Sequence, residues 1–210
     1  VLIANTNLVS KWDNWEHFRE LEADGKMMMG NYTAGSWGYI GSQGVLQGTY
    51  ETLAAVADQE FNGDLTNRVV VTAGLGGMGG NQPLAVRMNG GVCLVAEVSG
   101  DRIQRRIDEG YCQTAAESVE DAIQQATEAS EAGEACSIAV PANIVTLLEA
   151  MLDQPFVPDV IPDMTAAHDE RTGYYPAGYR VEAAGKLREA DPDTYRGETP
   201  HTQDSHPDAA

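Results

Sequence analysis

At 210 residues with 42% apolar content, the chain is long enough for one medium domain with a real core, and it holds no run of about 18 or more apolar residues to span a membrane. Its formal net charge is −19, from 32 acidic against 13 basic residues, which argues against nucleic acid and anionic membrane as partners, since both need a basic footprint. Acid is spread along the whole chain and the only lysines are Lys11, Lys26 and Lys186. That balance fits a surface adapted to salt, where screening removes self-repulsion; a merely acidic domain with an acidic tail is the alternative.

The chain opens VLIANTNLVSKW, without an initiator Met, a basic n-region or a small-residue cleavage site, and reads as a chain entered partway through, not as a signal peptide. A first helix is predicted in WEHFRELEADG, capped by Asn14 or Asp13, with Trp15, Phe18 and Leu21 three apart and a stop at Gly25. The next stretch is dense in glycine (Gly30, Gly35, Gly38, Gly41, Gly44, Gly48) yet rich in aromatic and apolar groups such as Trp37, Tyr39 and Ile40. That mixture suggests close backbone approach to a ligand or to another segment, and it is unlike a flexible linker. A helix follows from Gln47 or Thr49 to about Phe61, and NGDLTNR is a turn.

From Arg68 the pattern is α/β. A β-branched strand (68–74) ends in a Gly-rich turn that opens into a helix, and a second apolar strand covers 91–98. A polar helix over 101–109 precedes an amphipathic one, with Ser118 as cap, Asp121 three residues later and Gly133 as stop. A third strand covers 137–143, IVTLLEAMLDQ is the helix after it, and PDVIPD carries a short fourth strand into a loop. Strands alternating with helices mean crossover units and a parallel sheet covered on both faces. A short helix is predicted over 181–189; from Asp191 onward apolar residues almost vanish, three prolines appear, and disorder is expected. His201 and His206 in that tail read as solvated residues, and no metal site is expected.

Cys93, Cys112 and Cys136 form neither a CxxC pair nor an even set, so a disulfide framework or a zinc site is not expected, and a reduced, cytoplasmic setting is. Cys93 and Cys136 sit in strand-like runs and read as buried small hydrophobes, Cys112 as the most exposed of the three; none is expected to be catalytic.

The sharpest local signal is Gly74-Leu75-Gly76-Gly77-Met78-Gly79, which fits G-x-G-x-x-G between a strand and a helix. The first Gly permits the tight turn, the second lets backbone N–H groups approach a pyrophosphate, and the third lets helix and strand pack closely, with the helix start facing the phosphate charge. Glu97 ends the next strand, 18 residues after Gly79, where a dinucleotide domain places an acid for ribose hydroxyls; this favours NAD over NADP. Arg102 stands five residues on and could favour NADP, but Glu97 at the strand tip is expected to dominate, leaving Arg102 to stack on adenine or reach a phosphate. The bland alternative is a Gly-rich turn built only for tight packing. At other strand ends, Asn143, Thr165, His168, Tyr174 and Tyr175 are candidates for a nicotinamide-side pocket, with a helix cap, a loop hydrogen-bonder and core cover as their ordinary roles.

The stretches TAGSWGYIGSQGVLQGTYET (33–52), VVVTAGLGGMGGNQPLAVRMNGGVCLVAEV (69–98) and TAAHDERTGYYPAG (165–178), with ANTNLV and WEHFRELEADG before them, resemble the urocanase family over roughly residues 1–180. The resemblance implies a Rossmann-like NAD⁺ domain inserted between two halves of a core domain, in a longer, homodimeric enzyme of histidine degradation that hydrates urocanate to imidazolonepropionate with NAD⁺ as an electrophile. It implies three parts here: a remnant of the N-terminal core region (1–30), the NAD⁺-binding domain (31–190) and an acidic tail (191–210) unlike the family. Carried over by position, cofactor contacts fall on Asn31, on Gly77, Met78 and Gly79, on Glu97 and Arg102, on Asn143 with Ile144, on Met164, Thr165, Ala166, Ala167 and His168, and on Tyr174 and Tyr175. Asn31 and Met164 stand where the family more often has Gln. The family's catalytic cysteine falls outside these residues, so the expectation is a cofactor-holding part without turnover of its own. An NAD-dependent dehydrogenase domain and a remnant that no longer binds NAD⁺ are the competing readings.

Overall fold

The apolar runs beginning at Val69, Val92 and Cys136 are short, β-branched and bounded by glycine or polar turns, and each becomes a parallel strand in the computed structural model of the chain. The structure describes residues 14–24, 43–162 and 175–198. In order, the elements are α1 (Trp15–Ala23), α2 (Gln43–Glu60), β1 (Val69–Ala73), a 3₁₀ turn (Gly79–Asn81), α3 (Gln82–Met88), β2 (Val92–Ala96), α4 (Gly100–Asp108), β3 (Thr114–Ala115), α5 (Val119–Ala132), β4 (Cys136–Val140), α6 (Ile144–Leu152), α7 (Val181–Ala190) and α8 (Pro192–Glu198). Contacts divide the chain into two units, Val1–Gly48 and Thr49–Ala210; the boundary expected at residues 30/31 lies outside the described residues.

In the first unit, α1 starts as its sequence predicts: Asn14 Oδ1 accepts the His17 N–H at 2.9 Å, closing one of the donors a helix start leaves open. Helix α2 begins at Gln43, earlier than its glycines suggest, and runs through the division at Gly48 so that most of it belongs to the second unit. Buried Val45, Leu53 and Ala57 repeat at helical spacing through Gly44 and Gly48, and such a stripe outweighs a glycine penalty of about 1 kcal/mol each.

In the second unit the sheet runs β1-β2-β4-β3, all parallel. Period-2 alternation gives it two buried faces. Val69, Val71, Val92, Leu94, Ala96, Ile138 and Val140 join Ala122, Ile123 and Ala126 of α5 and Leu147 and Met151 of α6 in one core cluster. The opposite parity, Val70, Cys93, Val95 and Ala139, is as deeply buried, as are Ala85 and Val86 of α3. This is the expected α/β architecture, a Rossmann-like parallel sheet with helices on both faces. Helix α5 is capped as predicted: Ser118 Oγ accepts the Asp121 N–H at 3.1 Å, Asp121 Oδ2 accepts the Glu117 N–H at 3.1 Å, and Gly133 closes the helix at φ 69°.

Four expectations are corrected. The fourth strand in PDVIPD reduces to one parallel bridge, Val70 to Val160, because Pro158 and Pro162 deny the ladder donors on either side. A two-residue strand, β3, pairs at the β4 edge instead; there the Gln113 N–H donates to Ser137 Oγ and the Ser137 N–H to Gln113 Oε1, both at 3.0 Å. Cys112 is 2% exposed, not the most exposed cysteine, and Cys136 is only half-buried; the Cys112 thiol donates to the Ser137 carbonyl at 3.7 Å. The start of the expected disordered tail is helix α8, because Tyr195 is wholly buried, with the Arg188 guanidinium 5.9 Å from its ring centroid. Residues 199–210, with His201 and His206, lie outside the described residues.

Leu94→Ala empties the middle of a strand covered on both faces and is expected to lower unfolding free energy by about 2–5 kcal/mol in denaturant titrations. Leu152→Ala, at a side chain 86% exposed, is expected to change it by less than about 0.5 kcal/mol.

Candidate functional site

The strand order sets where a ligand fits. From β1 the chain fills the sheet to one side through β2, β3 and β4, then returns to the far side of β1 at Val160. The order reverses at β1, and open α/β sheets take their ligands outside the strand carboxyl ends at that reversal. The Gly-rich turn leaves β1 at this edge. Gly74 has φ 85°, a conformation L side chains rarely adopt. A Cβ on Gly79 would collide with the Gly74 carbonyl, and one on Gly76 would meet nothing within 4 Å among the described residues. The first and third glycines therefore serve the turn, and the second faces open space. Gly77 and Met78 are exposed, and no acceptor takes the N–H groups of Gly76, Gly77 or Met78 among the described residues. Successive outward N–H groups of this kind form an anion-binding concavity.

The turn is held from beneath by two buried charged side chains. Glu97 is 3% exposed; its Oε2 accepts the Leu75 N–H at 2.7 Å and its Oε1 the Ser99 N–H at 2.9 Å, tying the turn to the start of α4. Arg106 is 4% exposed; its Nε donates to the Leu75 carbonyl at 3.1 Å and its Nη2 to the Gly76 carbonyl at 2.6 Å. Arg106 Nη1 reaches Glu109 Oε2 at 2.7 Å, and its guanidinium lies 5.5 Å from the Tyr111 ring centroid. Hydrogen bonding from Arg105, with Arg106 adding to it, holds the Glu109 carboxyl below its usual range. A Cβ on Gly80 would run into the Arg106 guanidinium, so this glycine is required by the clamp and not by a ligand.

The expected site residues divide accordingly. Gly77, Met78 and Gly79 form the turn. Glu97 lies beside them, but with both oxygens engaged by backbone, where the sequence suggested a free carboxylate at a strand tip. Arg102 is half-exposed with Nη1 3.6 Å from Glu97 Oε1. Asn143 is the cap its ordinary reading gave, its Oδ1 accepting the Val145 N–H at 3.0 Å, and its Nδ2 also donates to the Tyr175 carbonyl at 3.0 Å. The structure thus joins Asn143 and Tyr175, while Ile144 is buried in the core cluster. Asn31, Met164, Thr165, Ala166, Ala167, His168 and Tyr174 lie outside the described residues. Arg106 was missed by sequence reasoning, although a signal existed: on α4 it follows Ile103 by three, a core position occupied by a cation. Buried Asn81 and Gln82, just past the motif, were missed as well.

A family model described as the urocanase Rossmann-like domain matches residues 41–209, and one described as the urocanase N-terminal domain matches residues 1–38. The match runs past residue 180, so the stretch after Asp191 belongs to the family's pattern, contrary to the sequence expectation. Two proteins named probable urocanate hydratase, from Halobacterium salinarum strains R1 and NRC-1, are each 55% identical over 208 residues, covering 98% of this chain and 35% of their own length. The chain thus spans about a third of the length of these curated relatives.

Two outcomes follow from the clamp and the thiols. Glu97→Gln replaces one acceptor oxygen by an amide donor facing a backbone N–H, and is expected to cost about 1–3 kcal/mol in denaturant unfolding. Burial pushes all three thiols up, Cys93 well above its usual value; half-buried Cys136 is expected to alkylate first in the folded chain, with Cys93 and Cys112 reacting only on unfolding, as peptide mass mapping would show.

Proposed function

The chain belongs to the urocanase family, and from that premise we propose that it is the NAD⁺-holding part of a urocanate hydratase. One observation carries the reading: the turn after β1 presents three unpartnered N–H groups around an unobstructed Gly76, a donor set that fits a diphosphate and would be wasted in a turn built only for packing. When bound, NAD⁺ supplies an electrophilic nicotinamide that activates the imidazole of urocanate toward water, giving 4-imidazolone-5-propanoate.

The residues divide that work. Gly76, Gly77 and Met78 offer backbone donors to the diphosphate. Glu97 and Arg106 keep those donors aimed, so little is reorganised on binding. Each Glu97 oxygen retains a lone pair for a ribose hydroxyl, and its charge disfavours the added phosphate of NADP. Arg102 offers an exposed guanidinium for a phosphate or for stacking on adenine. Asn143, Ile144 and Tyr175 stand at the β4 end of the same edge; Asn31, the loop Met164–Thr165–Ala166–Ala167–His168 and Tyr174 complete the set by family position. Cofactor binding is the share of the activity we assign to these 210 residues; turnover is assigned to the enzyme at its natural length, a homodimer in the cytoplasm, with an acidic surface suited to salt. Among the described residues no helix is long and apolar enough to cross a membrane.

Gly76→Ala tests the reading better than truncating Glu97, whose loss disturbs the turn itself. Beyond its chain neighbours the added methyl meets no atom of the described residues within 4 Å, so the unfolding midpoint is expected to stay put while calorimetric affinity for NAD⁺ falls about tenfold or more. Unchanged affinity would remove the turn from the site. With urocanate added at natural length, substrate loss without build-up of reduced nicotinamide separates hydration from a dehydrogenase.

A further inference from the structure

Directly behind the turn, two polar side chains are buried beyond any need of the fold. Asn81 is 0% exposed and Gln82 2%. Asn81 Nδ2 donates to the Gly77 carbonyl at 2.9 Å and to the Met78 carbonyl at 3.3 Å, which places its amide inside the turn and fixes its orientation: the flipped amide would set oxygen against two carbonyl oxygens. Its Oδ1 then has no partner, and neither has the neighbouring Gln82 Nε2. One is an acceptor lacking a donor; the other belongs to an amide that no hydrogen bond among the described residues orients, so it can present either its donor or its acceptor end. A buried polar atom without a partner is a standing cost to the folded state, and an apolar residue at position 82 would avoid it.

Resting on the dinucleotide reading above, we propose that Asn81 and Gln82 form a subsite at the foot of the turn. There a neutral group of the bound dinucleotide donates to Asn81 Oδ1, and the Gln82 amide finds a partner on the same ligand. The fixed Asn81 acceptor excludes an ionised phosphate oxygen, which has no proton to give. Two groups of NAD⁺ fit, a ribose hydroxyl and the nicotinamide carboxamide. Glu97 and Arg106 hold the backbone of the turn, whereas Asn81 and Gln82 read what lies against it.

Gln82→Met keeps the length of the side chain and removes the amide. It is to be titrated with NAD⁺ and with ADP-ribose, which has the ribose hydroxyls but no carboxamide, and its unfolding midpoint recorded without ligand, all in the protein at its natural length. Affinity for NAD⁺ is expected to fall about tenfold while the ligand-free midpoint holds or rises, since an unpartnered amide has been removed. An equal loss for ADP-ribose assigns the subsite to a ribose hydroxyl, and a loss confined to NAD⁺ assigns it to the carboxamide. If Gln82→Met and Gln82→Leu both lower the midpoint, the amide serves the fold and the proposal is overturned. A parent that binds both ligands with variants that bind as tightly overturns the subsite alone. A parent that binds neither overturns the dinucleotide reading and the subsite with it.

Discussion

The clamp of Glu97 and Arg106 on the Gly-rich turn is the constraint on which the carboxyl edge of the sheet depends. The turn has almost no side chains with which to hold itself, and ordering each of its residues costs about 1–2 kcal/mol of backbone entropy. Burial of Leu75 anchors one point. The rest of the restraint comes from three hydrogen bonds with an ionised partner, Leu75 N–H to Glu97 and the Leu75 and Gly76 carbonyls to Arg106, each contributing about 1.5–3 kcal/mol. The two terms are of the same size, so an ordered turn is sustainable. Either charged group alone would be costly to bury. Here Arg106 has Glu109 and Glu97 has two backbone donors, so neither is left without compensation.

The same logic recurs at both edges of the sheet. At the carboxyl edge, the Glu97 N–H donates to the Val140 carbonyl at 3.1 Å, and Asn143 bonds both the start of α6 and Tyr175. At the amino edge, Asp159 accepts from Arg68 Nη1 and from the Val69 N–H, both at 2.8 Å, fixing where β1 begins. Parallel strands buried on both faces carry little register information in their continuous apolar runs; polar side chains at the strand ends supply it. An acidic chain therefore uses some of its carboxylates inward, as acceptors for backbone.

What was legible in the sequence was whatever local chemistry dictates: the three main strands, the Ser118 and Asn143 caps, the Gly133 stop and the sense of the Gly-rich turn. What was not legible depended on partners distant along the chain. PDVIPD looks like a strand in isolation, but its prolines leave it a single bridge. Thr114–Ala115 is too short to announce itself and exists because Ser137 and Gln113 exchange bonds across the edge. Tyr195 sits in a polar stretch whose composition suggests disorder, yet one fully buried ring suffices to seat α8. Within the site, a surface-type residue inside a core stripe marked Arg106, and a motif-based reading that stopped at Gly79 passed over it along with Asn81 and Gln82. Glu97 shows the opposite limit: the motif offers its carboxylate to a ligand and gives no sign that the Leu75 and Ser99 N–H groups already bond it.

These roles separate stability from recognition along a few residues. Gly79 and Gly80 admit no side chain because protein atoms already stand there, so their glycine character serves the fold. Gly76 has no described residue within 4 Å of where a side chain would stand, so nothing in the described fold requires its glycine character. Glu97 and Arg106 already have partners within the chain, so the clamp holds its shape without a ligand, and only the second lone pair on each Glu97 oxygen is left to offer. Asn81 and Gln82 are incompletely satisfied within the chain, and a ligand is where their missing partners can come from. Among the described residues, this edge is held by the clamp at the turn and leaves buried polar atoms unsatisfied at Asn81 and Gln82. Preorganised donors reduce the ordering cost of association, and buried polar atoms that lack partners discriminate strongly against any ligand unable to supply them.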